Sequence, residues 1–260
     1  MKKTILTQIQ LAVLEQLLAE VGPIVKFDQI TRFLPQTMPA AQRQFVHRLA
    51  QAGWLVRIKK GLYQVADLSS LGTLTLSRYT VAQLLVPESY VSFESALHYH
   101  GLYDQLMRGT TSVALKQHAT VERQEYAYAY VKTARKYFYG WHEHAIDGRM
   151  VSIAAPEKAL IDIIQFHRTE STTDVVREKL FEYQDALDWP VLHTYLTRAT
   201  LTTQRIFGFL LDSLKLDSSP LQDTGRQSLM VSKLTPHSTV YNAKWRLYYE
   251  PCLMQAFPQP

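Results

Sequence analysis

The sequence predicts an α+β fold in two parts, a small N-terminal domain over residues 1–70 and a larger mixed α/β domain over residues 71–260. Helical and strand-like hydrophobic patterns alternate along the chain, and 47% of its residues are hydrophobic, enough to form a core in each part. The charge is divided unevenly. Nine Lys/Arg and four Asp/Glu fall in the first part, which therefore carries the whole net charge of +5. A basic module beside a neutral body is typical of a nucleic-acid reader joined to a second function.

Three helices are expected in the first domain. The first covers residues 5–20, where apolar side chains recur at helical spacing. The second is a short helix that Asp28 can cap. The third covers residues 40–52 and ends at Gly53, because a glycine just after the last periodic residue is a common helix stop.

A hairpin pattern follows the third helix. Residues 55–58 and 62–65 read as strands that flank the basic turn Lys59-Lys60-Gly61. The order helix, glycine, strand, basic turn, strand is that of the last helix and wing of a winged helix-turn-helix. In such domains the last helix enters the major groove of DNA. We therefore predict a winged helix-turn-helix DNA-binding domain, with double-stranded operator DNA as its partner.

The outward face of the third helix and the basic turn form the predicted DNA site. Arginine suits guanine edges and glutamine suits adenine edges, whereas flanking cations neutralise phosphates and position the protein. The predicted DNA-binding residues are Arg43, Gln44, His47, Arg48, Gln51, Lys59 and Lys60. The alternative for the same residues is a solvated helix face and a charged loop tip, and some winged domains bind protein instead.

The second domain is expected to begin after a linker at residues 67–78, which is rich in Ser, Thr and Leu. Periodicity and capping residues then predict a mixture of helices and strands. The predicted helices lie near 79–85, 92–100, 156–166, 174–187, 191–198 and 205–215, and the predicted strands near 111–116, 126–132, 150–153 and 239–249. The tyrosines of the strand at 126–132 alternate onto one sheet face, which fits either core packing or a protein-binding surface.

Candidate chemistry in this domain is sparse. His98 and His100 lie two residues apart on a predicted helix and so point in different directions, whereas His142 and His144 would share one face of a strand. No third ligand follows at a metal-motif spacing. Phosphate-loop, dinucleotide-binding and nucleophile-elbow patterns are also missing from the sequence. We expect no metal, no cofactor, no catalytic residue and no enzymatic activity.

The cellular location is expected to be the cytoplasm. The first residues are too polar for a signal-peptide core, and no run of about 18 apolar residues predicts a membrane span. The single cysteine, Cys252, has no partner in the chain for a disulfide, which fits a reducing compartment.

Four segments share a pattern with a known family. They are residues 53–63 (GWLVRIKKGLY), 90–102 (YVSFESALHYHGL), 153–162 (IAAPEKALID) and 242–249 (NAKWRLYY). Taken in this order they resemble the AbiEi-type antitoxins of bacterial type IV toxin–antitoxin systems. The resemblance implies a transcriptional repressor of its own operon. It also implies an antitoxin that counteracts a nucleotidyltransferase-like toxin encoded alongside, without needing a stable complex with it.

Two alternatives stay open beside this hypothesis. One is a transcription regulator with a partner- or ligand-binding second domain and no toxin. The other is a hydrolase or nuclease that the winged domain delivers to DNA. Because repressors often read inverted repeats as pairs of protomers, a homodimer on DNA is a further expectation.

Overall fold

The computed structural model describes residues 6–34, 38–66, 76–123, 126–225 and 228–254. The chain divides into two compact units, residues 1–85 and 86–260. Both units combine helices with strands, so the predicted α+β class is confirmed. The first unit extends past residue 70 and includes the helix predicted at 79–85. Most of the predicted linker, residues 67–75, lies outside the described residues.

The first unit holds four helices and three strands in its described part. They are α1 (Gln8–Glu20), β1 (Ile24–Lys26), α2 (Phe27–Arg32), α3 (Pro39–Gln51), β2 (Leu55–Lys59), β3 (Leu62–Val65) and α4 (Arg78–Leu85). The strands form an antiparallel sheet in the order β1-β3-β2. Apolar side chains from the first three helices and from the sheet meet in one core, in which Leu14, Ile30, Leu49 and Leu55 are almost completely buried. That shared core fixes α3 against the sheet.

The predicted end of α3 is confirmed. Gly53 adopts φ +82°, a left-handed conformation that residues with a side chain rarely adopt. The Trp54 amide donates to the Leu49 carbonyl at 2.9 Å, and the Gly53 amide donates to the Ala50 carbonyl at 3.1 Å. These two bonds satisfy carbonyl groups that the end of a helix leaves free. The chain thereby reverses from α3 straight into β2.

Strands β2 and β3 form a hairpin around the turn Lys60-Gly61. Gly61 has φ +74°, a left-handed conformation that glycine adopts at little cost because it has no side chain. Its carbonyl accepts a hydrogen bond of 2.9 Å from the Phe27 amide, so the turn is tied to the start of α2. Within the hairpin, Arg57 stands opposite Tyr63.

The second unit is built on a six-stranded mixed sheet in the order β6-β7-β5-β4-β9-β8. Its elements, in chain order, are β4 (Ser89–Val91), α5 (Phe93–Tyr99), β5 (Gly109–Ala114), β6 (Val121–Arg123), β7 (Tyr126–Lys132), β8 (Trp141–Ile146), β9 (Arg149–Ala154), α6 (Pro156–Phe166), α7 (Glu170–Glu182), α8 (Trp189–Thr197), α9 (Leu201–Ser213), β10 (Ser232–Lys233), β11 (Val240–Asn242) and β12 (Leu247–Tyr249). Helix α6 contributes the centre of the core, because its residues from Glu157 to Ile164 are all buried.

The prediction of one strand over 239–249 is wrong. The segment forms two antiparallel strands, β11 and β12, joined by a turn in which Arg246 has φ +49°. The Asn242 side chain accepts a hydrogen bond of 3.1 Å from the Trp245 amide and so stabilises the turn. The Trp245 ring is completely buried against Gly208, where a Cβ atom would lie 2.3 Å from the ring. Trp245 thus lies in the turn between β11 and β12 and is part of the buried core.

The described ranges contain no helix that could span a membrane. None of the helices there combines the length and the apolar character that a crossing requires.

Candidate nucleic-acid interface

Helix α3 divides its side chains cleanly between core and solvent. Val46 and Leu49 are buried in the first unit's core. The five predicted DNA-binding residues of this helix are all exposed; they are Arg43, Gln44, His47, Arg48 and Gln51. The amphipathic spacing of α3 therefore presents cations and amides to solvent on an anchored helix.

A cleft of about 510 Å³ runs between α3, the start of α2 and the β2–β3 hairpin. Its lining residues are Phe27, Arg43, Gln44, Val46, His47, Ala50, Arg57 and Tyr63. Three of the predicted DNA-binding residues, Arg43, Gln44 and His47, thus share one concave surface. The lining holds two arginines and no carboxylate, so the cleft favours an anion.

Arg57 is part of this cleft although the sequence-based site omitted it. Strict alternation along β2 would place it on the same face as buried Leu55, so the strand pattern does not single it out. In the folded hairpin its side chain is exposed and lines the cleft together with residues of α3. The one signal in the sequence is its position two residues before the basic pair Lys59-Lys60.

The two lysines of the hairpin differ in their surroundings. Lys60 lies in the turn and is exposed. Lys59 is partly buried, and its Nζ donates to the Leu85 carbonyl at 3.5 Å. A cation at the C-terminal end of α4 meets the negative end of that helix's dipole. Lys59 is therefore already engaged within the unit, whereas Lys60 faces solvent.

The cations of α3 and the hairpin have no carboxylate partner among the described residues. In the described part of the first unit, the ion pair present is Arg32 with Asp28, at 4.0 Å and largely exposed. The Arg43 Nε donates to the Pro39 carbonyl at 3.3 Å, which orients the guanidinium through its own helix. Across the described ranges of the unit, the positive charge of this surface is consequently left without a paired carboxylate.

The second unit contains a polar cluster that, unlike the cations of the first unit, is buried and includes a carboxylate. Lys158 and Asp162 form an ion pair one turn apart on α6, and both side chains are 0% exposed. The Asp162 carboxylate also accepts hydrogen bonds from the Ser92 hydroxyl at 2.7 Å and from the Tyr90 hydroxyl at 3.0 Å. Burial raises the pKa of Asp162, and the Lys158 ammonium opposes that rise. Burial also lowers the pKa of Lys158.

Neighbouring groups complete this cluster. The Lys158 ammonium lies 4.7 Å from the centre of the Tyr139 ring, and the Arg198 guanidinium lies 3.8 Å from the same ring centre. The Glu157 carboxylate accepts a hydrogen bond of 2.8 Å from the Asp188 amide. These contacts fix helices α6 and α8 and the loop before β8 in place. They show that Glu157 and Lys158 have structural partners within the second unit.

The histidines singled out in the sequence do not converge. His142 and His144 lie on one face of β8, and the His144 ring lies 6.0 Å from that of His100. The His100 Nε2 is 2.9 Å from the Ala154 carbonyl. Desolvation, together with His100 and His142, lowers the pKa of His144. Across the described ranges, no three metal-ligating side chains come together in a way that could hold an ion.

The alternating tyrosines of β7 belong mainly to the core. Tyr128 and Tyr130 are both 6% exposed. Tyr126 is partly buried, and its hydroxyl donates to the Gly109 carbonyl at 2.8 Å. Of the two interpretations left open by the sequence, core packing accounts for these side chains.

Comparison with known proteins yields a structural likeness. No protein-family model and no curated protein matches the chain. The crystal structure of the RV2827C protein from Mycobacterium tuberculosis is similar, with a TM-score of 0.66 and 13% sequence identity, over 94% of this chain and 92% of that chain. At this identity the likeness concerns the fold alone, and it extends over nearly the whole of both chains.

Proposed function

We propose that the chain is a DNA-binding transcription regulator whose first unit is a winged helix-turn-helix. The observation that carries the proposal is the cleft at α3, whose lining contains two arginines, a glutamine and a histidine but no carboxylate. The element order α1, β1, α2, α3, β2, β3 with the sheet order β1-β3-β2 also fits a winged domain. In such a domain α3 lies in the major groove and the β2–β3 hairpin is the wing.

The roles of the side chains follow from their chemistry. Arg43, Gln44 and His47 would contact base edges, with Gln51 further along the same exposed helix face. Arg48 and Lys60 would contact phosphates and fix the register of the helix without reading sequence. Lys59 would contribute less, because its ammonium already bonds the Leu85 carbonyl.

Repression of its own operon and antagonism of a nucleotidyltransferase-like toxin are proposed from the family resemblance. The first unit would hold operator DNA, as a pair of protomers where the operator is an inverted repeat. The second unit would act in the toxin pathway without catalysing a reaction. The alternative is a regulator whose second unit binds another partner or a ligand.

Fluorescence anisotropy with duplex DNA from the protein's own promoter tests the DNA proposal. We expect wild type to bind, and Arg43→Ala with Arg48→Ala to weaken binding and flatten its salt dependence by about one unit of slope per lost phosphate contact. The matched control removes two exposed cations from the second unit, Lys116→Ala with Lys132→Ala. Equal losses in the two double variants would contradict a site on α3.

Growth rescue tests the antitoxin proposal. Co-expression with an adjacent nucleotidyltransferase-like gene should restore growth that the gene alone arrests. If a folded protein binds the promoter but does not restore growth, the regulator without a toxin becomes the better description.

A further inference from the structure

Arg57 belongs neither to the exposed face of α3 nor to the hairpin turn, the two parts of the predicted DNA site. It lies on β2, opposite Tyr63, and its exposed side chain lines the cleft. Arg43, Gln44 and His47 line the same cleft from α3. A ligand that fills the cleft therefore contacts both α3 and the Arg57 guanidinium of the sheet.

The surroundings of Arg57 favour a phosphate. Partly buried Phe27 and Tyr63 contribute aromatic walls, and no carboxylate lines the cleft. Low-dielectric walls strengthen the attraction between a cation and an incoming anion. A guanidinium can also donate two parallel hydrogen bonds to phosphate oxygens, which an ammonium group cannot match in geometry.

We infer that Arg57 holds a backbone phosphate of the bound DNA at the cleft beside α3. This inference rests on the proposed DNA-binding function. Arg57 acts as a positioning residue, because its ligand is common to every DNA sequence. Its loss should weaken binding to operator and unrelated DNA by the same factor, whereas loss of a base contact lowers only the preference for operator.

The first experiment measures the salt dependence of DNA binding by the full chain with Arg57→Ala. We expect affinity to fall roughly tenfold for both operator and unrelated duplexes, the scale of one charge-assisted hydrogen bond. The slope of log affinity against log salt should fall by about 0.9, the value for one phosphate. Arg57→Lys should restore the slope and part of the affinity. Arg149→Ala, which removes an exposed strand arginine in the second unit, is the control and should change neither quantity.

A second experiment locates the phosphate. Operator duplexes carry one neutral methylphosphonate linkage each, moved along both strands. At one linkage the substitution should weaken wild type and leave Arg57→Ala unaffected, since the same contact is already lost. The inference would be overturned if Arg57→Ala bound DNA with the affinity and salt slope of wild type. It would also be overturned if each methylphosphonate linkage weakened wild type and Arg57→Ala by the same factor. Failure of wild type to bind any duplex would instead overturn the proposed function.

Discussion

The first unit exposes its cations at the cleft and the hairpin, whereas the second unit, which also has exposed lysines, buries Lys158 and Arg205 in its core. In the first unit, Arg43, Arg48, Arg57 and Lys60 are exposed, and no carboxylate pairs with them in the described residues. In the second unit, Lys158 is completely buried against Asp162. Positive side chains are thus available to a ligand at the surface of the first unit, whereas Lys158 pairs with a carboxylate inside the core of the second. Fold stability and ligand binding should therefore respond to different substitutions.

Arg205 extends the comparison. It is 1% exposed, and its guanidinium donates to the Met230 and Ser228 carbonyls at 2.7 and 3.0 Å and to the Ser232 hydroxyl at 3.1 Å. Lys158 and Arg205 thus donate their hydrogen bonds to groups of the second unit itself. A cation with spare donors at a surface is the kind that is available to DNA phosphates.

The largest effect is expected at the buried pair. Lys158→Ala leaves the Asp162 carboxylate without its cation inside the core, which typically costs about 3–5 kcal/mol of folding free energy. Equilibrium denaturation in urea should show this loss as a lower midpoint. The matched control is Lys132→Ala, on the exposed end of β7, which should change the midpoint little. Similar midpoints for the two variants would break the distinction between buried and exposed cations.

An intermediate effect on folding stability is expected when low pH protonates Asp212. This carboxylate accepts hydrogen bonds from the Trp245 Nε1 and from the Lys244 ammonium, at 2.7 and 2.8 Å. Desolvation works to raise the pKa of Asp212, but the bonds from Lys244, Ser218 and Trp245 outweigh it and lower the pKa below its ordinary value.

The sign of the pH dependence follows from that lowered pKa. The folded protein holds the ionised carboxylate better than the unfolded chain does, so the stabilisation is present above the unfolded pKa of about 4. It is lost as the pH falls through the lower folded value. Trp245 fluorescence should report the change, and Asp212→Asn should remove this part of the acid sensitivity. An unchanged acid profile in that variant would mean that the contact contributes nothing.

Sequence patterns predicted local structure better than they predicted which side chains lie together at the cleft. The end of α3 at Gly53 and the hairpin over 55–65 followed from short-range residue preferences, and both are present. Strand β1 was missed because three residues carry too little periodicity, and only its pairing with β3 defines it. The place of Arg57 in the cleft could not be deduced, because strict alternation along β2 puts this residue on the same face as buried Leu55.

Contacts between distant residues explain the other gaps. The bond from Lys59 to the Leu85 carbonyl joins residues 26 positions apart, and that from the Asp188 amide to Glu157 joins residues 31 apart. Periodicity within a window of 11–18 residues, the scale used for such patterns, carries no information on these pairs. The sequence therefore grouped Lys59 with Lys60, although the fold gives their ammonium groups different surroundings.

The smallest effect distinguishes those two lysines within the first unit itself. Lys60→Ala removes an exposed cation from the hairpin turn and should lower the salt slope of DNA binding by about 0.9. Lys59→Ala should leave the slope nearly unchanged, because the ammonium that it removes is bonded to the end of α4. Both variants carry the same net charge, so a long-range electrostatic contribution would affect them equally. Anisotropy titrations at several salt concentrations separate the outcomes, and a larger slope change for Lys59→Ala would show that this lysine leaves Leu85 to meet DNA.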